Sequence, residues 1–190
     1  MTTELKKVIN SIHPISNEIL DFFLNEWQII GANKKEIITP IGKTEKHLYF
    51  INAGIQKAYY CVSGRTFNLA FSYPYSFTCV PESFLTQSPS QYAWECITKS
   101  SLLRISYSTF FNYVNTYPEF ETLLRKKLIG TIKGINNRHY RILTMSMEER
   151  FSHFMSKSPM LINQIPQKEI ANYLKIDPTN FSKLINNVKV

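Results

Sequence analysis

Cysteine, histidine and glycine are all scarce in this 190-residue chain, with 3, 4 and 6 copies, and each scarcity removes a class of chemistry. The cysteines, Cys61, Cys79 and Cys96, are odd in number, far apart and without a C-x-x-C pair. They supply no disulfide framework and no zinc or iron–sulfur spacing, and they read as buried thiols. Nothing in the spread of His13, His47, His139 and His153 favours a metal or haem site. No phosphate-binding glycine loop, G-x-S-x-G or H-E-x-x-H is present. An enzyme on a cupin-like roll would need clustered ligands, yet His47 is the lone histidine of the strand-rich region, and Ser83 beside Glu82 has no positioned histidine. No enzyme, metal or cofactor is therefore expected. Long apolar runs are missing too: nothing approaches a membrane span, and the opening M-T-T-E-L-K-K-V-I-N lacks the apolar core of a signal peptide. A cytoplasmic location without membrane contact is the expectation.

Acidic residues are outnumbered, 14 against 22 Lys and Arg, for a formal charge of +8. Residues 117–190 hold 12 bases against 6 acids, whereas residues 1–116 hold 10 against 8. The excess gathers in the C-terminal part, as a phosphate-binding surface requires. With 44% hydrophobic residues the chain can bury a core as one large domain or two smaller ones.

Residues 3–26 carry Leu5, Val8, Ile9 and Ile12, then Leu20, Phe23 and Leu24, at helical spacing on either side of His13-Pro14. Short runs rich in Ile, Tyr, Phe and Val follow, punctuated by Gly and Pro. They predict strands at Trp27–Ile30, Glu36–Pro40, His47–Asn52, Ile55–Cys61, Arg65–Ser72, Tyr92–Ile97 and Leu102–Ile105. Strands at this spacing without intervening helices suggest an antiparallel barrel or jelly roll. Its aromatics, among them Tyr59, Tyr60, Phe71, Tyr73, Phe77, Phe84, Tyr92 and Trp94, read mainly as core, with an apolar pocket as the alternative.

Ser106 is placed to cap a short helix, and Tyr117-Pro118 opens a longer one to about Thr144. Along the long helix Phe120, Leu124, Leu128, Ile132, Ile135, His139 and Ile142 recur at steps of three or four. A seam sustained for about six turns exceeds what one barrel edge covers and suits a second copy of the chain. Gly130 and Gly134 are expected to permit close helix approach, and His139 reads as packed. Ser146-Met147-Glu148-Glu149 is a capping box, which puts a break near Leu143–Ser146.

The last segment, Pro166 to Val188, reads as helix, turn, helix. Ile170, Leu174, Ile176, Phe181 and Leu184 fall where two crossed helices must touch, and Ala171 is small enough to let them. Asp177 and Pro178 mark the start of the second helix. Lys175 occupies a turn position that is often glycine, so either a left-handed residue is accepted there or the turn takes another shape. The exposed face of the second helix would carry Thr179, Asn180, Ser182, Lys183 and Asn186, side chains able to bond base edges or phosphates in a major groove. Gln167 and Lys168 would touch the nucleic-acid backbone.

In this order, a β-roll, a long helix and a helix-turn-helix resemble the Crp/Fnr family of bacterial transcription regulators. Supporting segments are Gly42 before K-T-E-K, H-L-Y-F-I-N-A-G ending at Gly54, and Y-A-W-E-C-I-T-K-S-S-L-L-R-I-S. Glu82 to Tyr92 and Ser146 to Phe151 look most like the branch common in Bacteroidetes. The resemblance implies an α+β fold. Residues 1–116 would form an antiparallel, jelly-roll-like β-roll of cyclic nucleotide-binding type with flanking helices. Residues 117–145 would form a dimerisation helix, and 146–190 a winged-helix-like helix-turn-helix whose wing is short or absent, since the sequence stops at Lys189-Val190.

Carried across by position, the family's effector site falls on Glu82, Ser83, Ser90, Gln91 and Tyr92. The residues that contact adenine in the cyclic-AMP receptor protein align with Ile135 and Asn136. The family's Arg-Ser position is Gln91-Tyr92 here, and no Arg or Lys lies between Arg65 and Lys99. A cyclic nucleotide is therefore not expected, because its buried phosphate would lack a local countercharge. The family's N-terminal cysteine cluster is missing as well. In the reader helix, Pro178 and Thr179 stand where the family has its specificity Arg and Glu, while Lys183 keeps a basic residue.

The expected function is a homodimeric transcription regulator. It would bind a palindromic operator in double-stranded DNA, with RNA polymerase as a further partner and an unidentified small-molecule effector. Its dimer interface would be Phe120, Leu124, Leu128, Ile132, Ile135 and His139. The alternative is a β-roll ligand-binding or protein-interaction module whose helix-turn-helix does not bind DNA.

Overall fold

The computed structural model of the chain describes residues 2–187. Two helices, α1 (Thr3–Ile12) and α2 (Asn17–Asn25), lead into eight strands: β1 (Gln28–Ala32), β2 (Ile37–Thr39), β3 (His47–Ala53), β4 (Gln56–Val62), β5 (Arg65–Ser72), β6 (Phe77–Thr78), β7 (Ala93–Cys96) and β8 (Ser100–Ser106). A short helix α3 (Pro81–Thr86) interrupts them. Helices α4 (Tyr107–Thr116), α5 (Pro118–Thr144), α6 (Met147–Lys157), α7 (Leu161–Gln164), α8 (Gln167–Leu174) and α9 (Pro178–Asn187) complete the order. Every predicted strand is present within a few residues. The two-residue β6 is additional, held by pairing of Phe77 with Phe50 and Thr78 with Tyr49.

The strands form two antiparallel sheets, β1-β8-β3-β6 and β2-β7-β4-β5. Tyr49, Ile51, Val80, Tyr92, Trp94 and Leu102 fill part of the space between them. The outer face of the first sheet is covered by α1, α2, α4 and the start of α5, through a core that includes Leu5, Phe23, Trp27, Phe50, Phe110 and Phe120. Alternation explains the layering: successive residues of β8 face opposite sides, so Leu102 enters the space between the sheets while Leu103 and Ile105 enter the helical layer. Gly54, which closes β3, has φ of +94°, and a Cβ there would lie 2.3 Å from Ser100 Oγ. Only glycine fits this β3–β4 turn.

Local signals act as their chemistry dictates. Ser106 Oγ accepts from the Thr109 N–H at 3.1 Å, and Ser146 and Glu149 satisfy each other's backbone donors at 3.2 and 2.8 Å. Asp177 Oδ1 accepts from the Thr179 N–H at 2.9 Å at the start of α9. Helix α5 stops at Thr144, so the break falls within the predicted segment. Lys175 does take the left-handed conformation (φ 56°, ψ 46°), and its ammonium lies 4.7 Å from the centre of the Phe67 ring. Ile170, Ala171, Leu174, Ile176 and Phe181 are buried together with Phe151 and Phe154 of α6, and Leu184 packs against them.

Four packing expectations need correction. Phe120 is fully buried in the chain's own helical layer, so it is not free for a partner, and the half-buried Leu124 packs against that layer and lines the cavity described below. Nothing lies within 4 Å of a Cβ built on Gly130 or Gly134, and these residues are exposed on the side of α5 away from its apolar stripe, so they mediate no close approach in this chain. Cys61 is exposed, in the part of β4 that pairs with β5 beyond the end of its pairing with β7; Cys79 is half-buried and Cys96 buried. His139 is exposed rather than packed. The wing expectation rests on Lys189-Val190, which lie outside the described residues.

Candidate functional site

A cavity of about 520 Å³ lies between the second sheet, the β6–α3 segment and α5. Its wall is largely carbon, with Tyr60, Leu69, Phe77, Phe84, Trp94, Leu124 and Leu128 contributing. Strand alternation directs Ala58, Tyr60, Leu69 and Trp94 to this side. Helix α5 crosses the opening and presents Leu123, Leu124, Lys127, Leu128, Thr131, Ile135 and Arg138 at helical spacing. Tyr59, Phe71 and Tyr73 do not line it.

The residues placed in the effector site by family position divide. Glu82, Tyr92 and Ile135 line the cavity. The Tyr92 hydroxyl donates to Glu82 Oε2 at 3.0 Å, and burial together with that carboxylate pushes the phenol's pKa well up, so it stays a neutral donor. Ser83 and Ser90 do not line it. Ser83 Oγ is buried, donating to the Ser88 carbonyl at 2.5 Å and accepting from the Glu45 N–H at 2.9 Å. Ser90 Oγ donates to the Tyr92 carbonyl at 2.6 Å. Both hydroxyls are consumed in holding the loop. Gln91 and Asn136 are exposed and outside the wall.

Sequence reasoning missed the cavity's cations. The roll segment between Arg65 and Lys99 supplies none, but α5 brings Lys127 and Arg138 to the wall. Lys127 makes no ion pair or hydrogen bond among the described residues; its ammonium lies 5.5 Å from the centre of the Phe77 ring, and burial lowers its pKa. The signal was a lone lysine on the apolar face of a helix, between Leu123 and Thr131. The thiol of Cys79, also in the wall, is held neutral by burial. Among the described residues no three His, Cys, Asp or Glu side chains gather to hold a metal ion.

A second arrangement links the roll to α8. Strand β5 is the edge of its sheet, with backbone groups that need partners. The carboxamide of Asn172 stands in for a neighbouring strand: Oδ1 accepts from the Asn68 N–H at 2.7 Å and Nδ2 donates to the Thr66 carbonyl at 2.8 Å. Asn68 Nδ2 donates to Glu169 Oε2 at 2.9 Å and to the Glu169 carbonyl at 3.0 Å. The buried Lys57 ammonium donates to the same Oε2 at 2.9 Å, with Glu95 3.9 Å away. Burial raises the pKa of Glu169, but the bonds from Asn68 and Lys57 outweigh it, so the net shift is downward. Arg138 Nη2 donates to the Asn68 and Tyr173 carbonyls at 3.1 and 3.0 Å, and its guanidinium lies over the Tyr173 ring. Arg138 therefore belongs to both the cavity wall and this seam.

Two surfaces stay open. On α9, Thr179, Ser182, Lys183 and Asn186 are exposed and Asn180 is half-exposed; Gln167 and Lys168 at the start of α8 are exposed too. On the second half of α5, Ile129, Ile132, Ile135, Tyr140 and Leu143 form an exposed apolar stripe, with Ile132 57% and Leu143 69% exposed. Ile132 and Ile135 of the expected dimer face lie on it, Leu128 lines the cavity, and His139 lies at the cavity rim beside the stripe. Among the described residues no helix is long and apolar enough to cross a membrane.

No protein-family model matches the sequence, and no curated protein matches it. Solved structures do match. FixK2 from Bradyrhizobium japonicum superposes with a TM-score of 0.74 at 16% identity, covering 85% of this chain and 84% of that one. The c-di-GMP responsive global regulator CLP of Xanthomonas campestris gives 0.69 at 14% identity, with 92% of each chain covered. A CooA mutant from Carboxydothermus hydrogenoformans gives 0.69 at 16% identity, covering 93% and 85%. At such identities the likeness is one of fold: the chain is an α+β protein with an antiparallel core of cyclic nucleotide-binding type, built as in the Crp/Fnr-family regulators FixK2, CooA and CLP.

Proposed function

We propose that this chain is a homodimeric, sequence-specific DNA-binding transcription regulator of the Crp/Fnr type, whose β-roll responds to a small molecule other than a cyclic nucleotide. The observation that carries this is continuity. The fold likeness to a global regulator spans 92% of the chain, and α9, at the far end, leaves its polar face open to solvent. Thr179, Asn180, Ser182, Lys183 and Asn186 are the base- and phosphate-contacting residues, with Gln167 and Lys168 on the backbone. The second copy covers the apolar stripe of α5, a helix of 27 residues spanning about 40 Å. Two α9 helices about 34 Å apart then face successive major grooves of a palindrome. On this reading the chain acts in the cytoplasm beside RNA polymerase and holds no metal or resident cofactor. The likeness to a Bacteroidetes-type branch rests on two sequence segments alone. Arg138 provides a physical connection, since it lines the cavity and grips Tyr173 of α8.

Selection of bound duplexes from a random library by the purified full chain tests this. An enriched palindrome, affinity that falls steeply with salt, and loss of about tenfold or more in K183A are expected. A folded dimer that enriches nothing, with or without cell extract, would overturn it.

One observation favours a second reading, a β-roll module whose helix-turn-helix serves only for packing. Helix α8 is bonded into the edge of β5 through Glu169 and Asn172. That reading expects no duplex affinity at any salt concentration.

A further inference from the structure

The cavity's volume, about 520 Å³, falls in the range of small-molecule sites, and its charges are unevenly placed. On the acidic side Glu82 stands at the mouth and already accepts from Tyr92. The basic side holds Lys127, which has no ion-pair or hydrogen-bond partner among the described residues, and Arg138. Arg138 is spent on the Asn68 and Tyr173 carbonyls, which leaves Lys127 as the wall's unengaged cation among the described residues. Lys127 is half-buried beside a largely carbon wall without a counterion, and an anionic ligand supplies one while the surrounding carbon takes up an apolar body.

Resting on the sensor role proposed above for the roll, we propose that the cavity takes an amphipathic carboxylate, a hydrocarbon acid whose head pairs with Lys127 and whose body lies among Tyr60, Leu69, Trp94, Leu124 and Leu128. The assignment differs from a nucleotide site in two ways. The countercharge comes from α5 rather than from the roll loop, and a single ammonium facing a carbon-lined space matches a monoanion with an apolar tail better than a ribose phosphate. Pairing also orders Lys127 on the helix that carries the open stripe and Arg138, so occupancy is registered on α5.

The test is calorimetric titration of the full-length chain, without DNA, with decanoate, decanol and decyltrimethylammonium, repeated on K127M and K127R. The wild type should bind decanoate about tenfold or more tightly than decanol and should bind the cation weakest. K127M should lose about that factor for decanoate while keeping its decanol affinity, and K127R should retain the preference. Melting curves without ligand check that K127M is folded; if it is not, K127R and the wild-type ligand ranking decide. Equal affinity for decanoate and decanol, an equal loss of both in K127M, or no binding of decanoate would each overturn the proposal. Because the readout contains no DNA, its failure leaves the operator selection standing. Failure of that selection likewise leaves the carboxylate result standing.

Discussion

Helix α8 meets the β-roll through directed polar bonds beside the Phe71–Tyr173 ring contact, whereas the apolar stripe on the second half of α5 is left exposed. Lys57, Glu169, Asn68 and Asn172 bond to one another, and each bond has a direction, so the seam fixes how α8 sits on β5. Such bonds exchange for water at a modest net cost, about 1 kcal/mol each, so a polar seam can open without unfolding either side. The α5 stripe has no direction of its own. Covering it depends on area alone, and a partner with the same stripe is the natural cover. One contact is specified and reversible, the other unspecified and in need of a lid.

The largest effect is expected from breaking the seam's ion pair. Glu169→Ala leaves the buried Lys57 with only Glu95 at 3.9 Å, and losing one partner of a buried pair costs about 3 kcal/mol. Hydrogen exchange at the Asn68 amide should quicken by about a hundredfold as α8 lifts. The apolar double variant K57M/E169M should recover much of the closure, because replacing a buried pair by packed carbon is often neutral. Unchanged exchange in E169A would mean that the seam is held elsewhere.

Next comes Arg138→Ala, which removes the bonds to the Asn68 and Tyr173 carbonyls and a stretch of cavity wall. A loss of about 2 kcal/mol in closure is expected by the same exchange measurement. Smaller again is Ile132→Glu on the α5 stripe. Sedimentation should show dimer association weakened by at least about tenfold, about 1.4 kcal/mol, with the monomer's melting temperature unchanged because the side chain is already exposed. If the dimer survives, the stripe is not its interface.

Acidification gives the mildest contrast, since the two sides of the molecule respond oppositely. Glu169 is held below its ordinary value of 4.5, so its contribution is fully present above 4.5 and is lost as pH falls through the depressed value. Glu45, inside the roll, is shifted the other way by burial, partly offset by bonds from Thr39 and the His47 N–H. Its ionised form weighs against folding at neutral pH, and protonation relieves this as pH falls through the raised value. A pH series of hydrogen exchange should therefore show the loop around Glu45 firming before α8 loosens.

The elements were legible because their signals are local. Runs rich in Ile, Tyr, Phe and Val between Gly and Pro marked β3, β4, β5 and β8; Ser106, Ser146 and Asp177 marked helix starts; the spacing of Ile170, Leu174 and Phe181 marked the crossing of α8 and α9. The candidate site was only partly legible. Glu82 and Tyr92 line the cavity, but Ser83 and Ser90 spend their hydroxyls on backbone groups that no pattern reveals. Lys127 was legible only as an odd residue in an apolar helix face. Lys57 in β4 and Asn68 in β5 were likewise out of character for a roll, but nothing in one strand says which helix will answer it.

The sequence by itself determined the order of strands and helices, the caps and the absence of a cation between Arg65 and Lys99, because each depends on neighbours within a few residues. Only the tertiary structure decided that α5 divides into a buried first part and an open apolar second part, that its Lys127 and Arg138 serve the cavity, and that α8 completes the edge of β5. Those outcomes depend on which surfaces meet across long stretches of chain, 104 residues for the Asn68–Asn172 bond, where hydrogen bonds and burial are settled by three-dimensional proximity rather than by spacing.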